Sequence, residues 1–227
     1  AVFGVGSILG MALLSVAILS LLNGMVDLQR GGHGRAAVLP GLAAFAVAAF
    51  VYRERHAAHP LLQLGLFGHA QFAFGSCVAF MYGAALFGST YLLPVFMQIA
   101  LGLPASQAGG ALLPAGIMLW LTIALAGRLG DRFALHQVIA FGLTLLALSF
   151  VLMLAVGPDT SVWTIALWIA VGRIGLGFVL PSLNLGAMRG LPAALIPQAS
   201  SGINFMRQFG GAVGVSLAGI FAEWRLL

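Results

Sequence analysis

The chain has 227 residues, of which 61% are apolar and only 7% charged, with a mean hydropathy of +1.08. A water-soluble domain carries about 25% charged residues to keep its surface wet, so a soluble fold is excluded and lipid is the expected solvent. The net charge of +5 and pI near 10.7 do not indicate nucleic acid, because the ten basic residues are all Arg, fall mostly in short loops, and form no basic stripe or aromatic-interleaved patch.

A membrane span needs roughly 20 apolar residues, and seven segments qualify. In chain order they run from about Val2 to Leu22, Ala36 to Tyr52, Phe72 to Gln98, Ala108 to Ala126, Leu135 to Val156, Val162 to Leu185 and Ser201 to Ala222. The fold class is therefore an all-α polytopic transmembrane helix bundle. Ala1 opens inside an apolar stretch with no charged n-region, which reads as a span and not as a leader. Arg225-Leu226-Leu227 stops abruptly, so both ends are expected to be internal to a longer protein. Cys77 is the single cysteine and sits in an apolar run, where a packing role is expected.

Alternating the connections across the membrane puts Arg53, Arg55, Arg128, Arg132 and Arg189 on one side, with His56, His59 and His136. The other side holds Arg30, Arg35 and Arg225 with Asp27, Asp159 and Glu223. The excess of Arg marks the first side as cytoplasmic. Gly210, Gly214, Ala218 and Ala222 recur every four residues on one face of the last span, where small residues let helix backbones approach. That stripe reads as packing, or as a contact surface that slides. Pro94, Pro114 and Pro181 fall within or near the ends of spans and mark expected kinks.

Four stretches carry a more specific signal. Glu54-Arg55-His56-Ala57-Ala58-His59-Pro60-Leu61-Leu62 follows the second span, and Tyr91-Leu92-Leu93-Pro94-Val95-Phe96-Met97-Gln98 closes the third. Gly127-Arg128-Leu129-Gly130-Asp131-Arg132 joins the fourth and fifth, and Ser200-Ser201-Gly202-Ile203-Asn204-Phe205-Met206-Arg207-Gln208-Phe209-Gly210-Gly211 opens the seventh. In order and spacing these resemble the fourteen-span drug:proton antiporter group of the major facilitator superfamily, the multidrug exporters. The resemblance implies that residues 1–52 are two central linker spans, 53–70 a cytoplasmic loop, and 71–227 the first five helices of the C-terminal six-helix half. The N-terminal half of the same polypeptide, and the last helix of the second half, would lie outside this chain.

Gly127, Asp131 and Arg132 are similar to the superfamily's cytoplasmic loop signature. A carboxylate there favours the N-terminus of the next helix and can pair with Arg across a gating seam. Ala134, Leu135 and His136 depart from the residues usually found next, and a purely topogenic role for the Arg residues is the alternative. Arg173 stands near the middle of the sixth span, within Gly172-Arg173-Ile174-Gly175-Leu176-Gly177. A cation at mid-bilayer costs about 2.5–3.5 kcal/mol by insertion scales, so it must face the bundle interior, a water cavity or a partner. It is expected either to gate or to bond backbone carbonyls, and no acid lies within the spans to pair with it.

Arg207 lies about two turns into the seventh span and is placed to snorkel to the cytoplasmic surface. Asn184, Asn204 and Gln98 are polar groups near span ends that either cross-link helices or line a path. Phe72, Phe74, Phe80, Met81, Phe87, Phe96 and Met97 make the third span aromatic and Met-rich, which suits promiscuous apolar ligands, although lipid-facing Phe explains most of them. Gln98, Phe96 and Met97 are the candidate substrate-path residues.

His56 and His59 lack a third ligand nearby, so no metal and no cofactor is expected. Catalytic sets of Ser, His and Asp, His-Glu-x-x-His and phosphate-binding glycine loops are not found in the sequence. An intramembrane enzyme would need such a set inside the spans, so no enzyme is expected. The resemblance implies a proton-coupled secondary transporter in the cell membrane whose partners are protons, an amphipathic substrate and the bilayer. The alternatives are a carrier of another small solute and a membrane protein that does not transport.

Overall fold

The computed structural model describes residues 10, 12–13, 15–20, 23–24, 33–57, 64–129, 133–157 and 159–226. Among the described residues the chain is helical, with short helical stretches at residues 15–20 and six long helices. These are α1 (His33–His56), α2 (Ala70–Ile99), α3 (Ala105–Leu129), α4 (Leu135–Met153), α5 (Val162–Met188) and α6 (Ile196–Leu226). Short 3-10 turns at Leu64–Gly68 and Ala193–Leu195 lead into α2 and α6. Helices are the expected solution in lipid, because only they satisfy every backbone N–H and C=O within one segment. Five stretches among the described residues are long and apolar enough to cross a membrane, from Ala70–Ile99 to Ala193–Trp224. They extend the expected third to seventh spans by a few residues, except that α4 ends at Met153, before Val156. The expected second span lies within α1, and the first lies largely outside the described residues.

The connections are tight where local chemistry demands it. The turn after α2 contains Gly102 at φ 64°, a left-handed conformation that suits glycine. The Leu103 N–H then returns to the Met97 carbonyl at 3.1 Å. Pro104 follows, and its carbonyl accepts from the Gln107 and Ala108 N–H groups to start α3.

α5 is the central element. It packs along α3 and α4 and, less extensively, along α2, while α2 lies against α6. Its glycines explain how one helix meets so many neighbours. A Cβ at Gly172 would stand 2.6 Å from the Ser149 hydroxyl of α4, and one at Gly177 would stand 2.6 Å from the Thr122 Cβ of α3. Gly175 meets the Gly142 carbonyl, again on α4. The α2–α6 seam is closer still, for a Cβ at Gly83 would run into the Arg207 carbonyl and one at Gly210 into the Phe80 carbonyl. One hydrogen bond crosses between α4 and α5, from the Ser149 hydroxyl to the Trp168 carbonyl at 2.7 Å.

The core divides along the membrane normal. At the Arg-rich ends of the helices, Phe72, Ala79 and Tyr82 of α2 pack on Leu176, Val179 and Leu183 of α5 and Ile203 of α6. At the opposite ends, Met97 of α2 packs on Ala108, Ala111 and Ala115 of α3 and Ile165, Ile169 and Ala170 of α5. A third, smaller group joins Ala126, Val138 and Phe178.

The outer surface is apolar, with Trp120, Trp163, Leu113 and Phe74 largely uncovered. Cys77 corrects a sequence expectation: it is exposed and not packed. It shares the outward face of α2 with Phe74 and Met81, whereas the buried face carries Phe72, Gly75, Ser76, Ala79, Tyr82 and Gly83. The aromatic and Met residues of α2 are divided in the same way, since Phe72 is fully buried while Phe74 is 75% exposed.

Glycine replacements separate the seams from the open surface. Gly214→Leu, set against the Ala84 backbone, is expected to lose about 1–3 kcal/mol through overpacking. Gly116→Ala on α3 meets nothing within 4 Å, and is expected to gain about 0.5–1 kcal/mol of helix stability. Thermal unfolding in detergent, followed by circular dichroism, checks both signs.

Candidate functional site

Arg173 is 7% exposed and lies in α5 between the two larger apolar cores, after Ala170 of one and before Leu176 of the other. Its guanidinium reaches across to α2. Nη2 donates to the Thr90 hydroxyl at 2.8 Å, and Nη1 donates to the Leu86 carbonyl at 3.4 Å. Thr90 in turn donates to the same Leu86 carbonyl at 2.6 Å. The cation, a hydroxyl and a carbonyl therefore close a small triangle between two helices.

Local sequence makes α2 receptive at this turn. Pro94 has no N–H to give to the Thr90 carbonyl four residues earlier. Ser89 bonds back to Ala85 at 2.5 Å and to Leu86 at 3.1 Å, as hydroxyls in helices often do. A buried cation with such partners is far less costly than an unpaired one. Tyr82, 2% exposed on α2, lies within electrostatic reach of both Arg173 and Arg207. The seam holds further polar groups, for the hydroxyls of Ser76 and Ser182 are buried without a partner among the described residues.

Arg207 lies eleven residues into α6, half-buried, and donates through Nη2 to the Asn204 Oδ1 at 2.8 Å. Ser201, Asn204 and Gln208 follow one another at helical spacing around an open recess of about 550 Å³. Ser201 and Gln208 are exposed, so α6 carries a polar face within a helix long and apolar enough to span.

The other candidates are dispersed. Met97 is fully buried in the core, while Phe96 is half-buried. Gln98 is exposed and donates to the Pro94 carbonyl of its own helix at 3.2 Å. These three do not converge on one cavity. Gly127 is exposed near the end of α3 with open space around it, and Asp131 and Arg132 lie outside the described residues. Gly210 and Gly214 are buried against α2, and Ala218 is half-buried further along α6. The His56 Nδ1–H donates to the Tyr52 carbonyl at 2.8 Å, and His59 lies outside the described residues.

Sequence reasoning singled out Arg173 but missed Thr90 and the Leu86 carbonyl as its partners. The available signal was the position of Thr90 four residues before a mid-helix proline.

Comparison with known proteins follows the same lines. A family model described as Major Facilitator Superfamily matches residues 1–215. The multidrug transporter protein MdtP of Bacillus subtilis is 28% identical over 178 residues, 78% of this chain and 33% of that protein. The lincomycin resistance protein LmrB of Listeria innocua is 30% identical over 191 residues, 82% of this chain and 40% of that protein. The methylenomycin A resistance protein of Streptomyces coelicolor is 29% identical over 186 residues, 80% of this chain and 39% of that protein. The chain thus spans 33–40% of the length of these relatives.

The Arg173–Thr90 contact yields a double-mutant cycle. Thr90→Val alone is expected to cost about 1.5–3 kcal/mol, as for a hydrogen bond to a charged group. In an Arg173→Met background the same change is expected to cost under about 0.5 kcal/mol, because the coupling is gone. Unfolding midpoints of the four proteins in one detergent measure the difference.

Proposed function

We propose that this chain, which belongs to the Major Facilitator Superfamily, forms one wall of the substrate path in an exporter of amphipathic drugs that works by alternating access. Its setting is the cell membrane, which it crosses several times. The observation that carries the reading is the polar face of α6, where Ser201, Asn204, Arg207 and Gln208 occur together on a membrane helix. Such a face is costly against hydrocarbon, and a water-lined path or a facing protein wall satisfies it. Relatives named for multidrug transport and for resistance to lincomycin and methylenomycin A support efflux as the direction.

In this reading residues 1–52 are the two spans between the halves of the carrier, 53–70 a cytoplasmic loop, and 71–227 five helices of the C-terminal half. The facing wall belongs to the N-terminal half, which pairs with this one around a site near the midplane. Arg173 holds α5 to α2 beside that path. Arg207 and Asn204 meet the substrate side, and Gly127, Asp131 and Arg132 close the cytoplasmic seam. Protons drive the exchange. No bond is made or broken in the substrate, so the protein is a carrier and not an enzyme.

The test uses inside-out vesicles bearing the full-length protein, with ethidium as the cationic probe. Ethidium is expected to accumulate only while the lumen is acidic, and a protonophore is expected to abolish the uptake. Asn204→Leu or Arg207→Met is expected to lower the initial rate at least about tenfold, as for one lost charge-assisted bond. Uptake equal to that of empty-vector vesicles, across a panel of cationic and neutral drugs, would show a membrane protein that does not export them. Uptake without the gradient would remove the proton coupling alone.

A further inference from the structure

A large apolar recess adjoins the polar recess of α6, with which it shares residue 18, Phe205 and Phe209, and does not include Arg173. It has a volume of about 1000 Å³ and runs between residues 17–18, α1 and α6. Ala44, Ala48 and Val51 of α1 form one wall, and Phe205 and Phe209 of α6 form the other. The alanines leave room along α1, and the two Phe rings stack at 6.0 Å to give a smooth opposing surface.

One end of the recess is basic. Arg55 and His56, in the last turn of α1, line it there. Arg55 is exposed, and the Tyr52 ring lies 4.6 Å from that of His56, an arrangement suited to a membrane–water boundary, where aromatic rings with a polar tip collect. Glu54 does not line the recess; it is buried and paired with Arg53 at 3.2 Å. The negative charge nearest in sequence is therefore turned away from the mouth.

Length supplies a second constraint. Ala44 and Arg55 are eleven residues apart, about 17 Å along a helix rising 1.5 Å per residue. One leaflet contributes half of the roughly 30 Å hydrocarbon core, so the apolar walls are as long as a single layer of acyl chains. The basic mouth then stands at headgroup level on the Arg-rich face, the side on which cytoplasmic anionic lipids gather.

We propose that this groove is a binding site for an anionic phospholipid of the cytoplasmic leaflet, with its acyl chains between α1 and α6 and its phosphate at Arg55 and His56. The proposal does not rest on the transport reading, since a membrane protein of any activity could hold a lipid here. The lipid would tie α1 to α6 by filling the space between them.

Native mass spectrometry of the full-length protein, released from vesicles of equal phosphatidylglycerol and phosphatidylcholine, tests the site. Retained lipid is expected to favour phosphatidylglycerol about fivefold or more, since one Arg near the surface contributes about that factor for an anionic lipid. Arg55→Gln is expected to remove about fivefold of the preference, and Arg55→Lys to keep it. Ala44→Trp with Ala48→Trp, which fills the groove and leaves the cations in place, is expected to abolish retention. Equal retention of the two lipids, or an unchanged preference in Arg55→Gln, would overturn the proposal. So would a photo-cross-linker at position 48 that captures another segment of the protein instead of lipid. Should the double Trp variant fail to fold, the exposed Arg55 substitutions decide the question alone.

Discussion

Helices in lipid have no hydrophobic drive to associate, because a hydrocarbon tail is as apolar as a leucine. What holds this bundle together is close backbone approach, and the glycines make it possible. Gly172 and Gly175 admit α4 to α5, Gly177 admits α3, and Gly83, Gly210 and Gly214 bring α2 and α6 into contact. Dispersion falls steeply with separation, so each seam depends on the missing side chain at its crossing point. Arg173 reaches Thr90 because Gly75 lets α2 pass beside Ala187 at the other end of the same seam.

Arg173 occupies the waist between two apolar cores. On either side of it the packing is dense and mainly aliphatic and aromatic. At the waist, the link between α2 and α5 is a pair of hydrogen bonds to a turn of α2 that already lacks one backbone bond because of Pro94. Apolar cores repack only at considerable cost, whereas a charge-assisted bond can exchange for water or another acceptor. The two halves of the α2–α5 seam are therefore joined through their most exchangeable contact.

The spans were legible from hydropathy because α2 to α5 are almost free of charge between their ends, and Arg173, a cation in the middle of α5, stood out for that reason. The partners of that cation were not legible. Thr90 is one of several hydroxyl residues in spans, and only the antiparallel register of α2 and α5 brings it to Arg173. The setting of Met97 was not legible for a related reason: a flexible thioether near a span end serves either a ligand path or a core, and its neighbours in space, Ala108 and Ile165, come from other helices. Cys77 likewise followed the face of α2 on which it falls and not its apolar surroundings in sequence. The polar face of α6 was partly visible as separate residues, but its exposure is a property of the assembled bundle.

That face bears most directly on the account, because a path for solutes requires water beside α6. Single cysteines at positions 201, 204 and 208, in a full-length protein whose Cys77 is replaced by Ala, can be treated in native membranes with a charged methanethiosulfonate. Only a thiolate reacts, and a thiolate forms only where water reaches it. The account predicts rapid labelling at all three positions and none at a cysteine placed at Leu217, which is exposed on the same helix among apolar neighbours. Protection of all three positions to the level of position 217 would mean that the face is sealed against protein or lipid, and the wall of the path would have to be sought elsewhere.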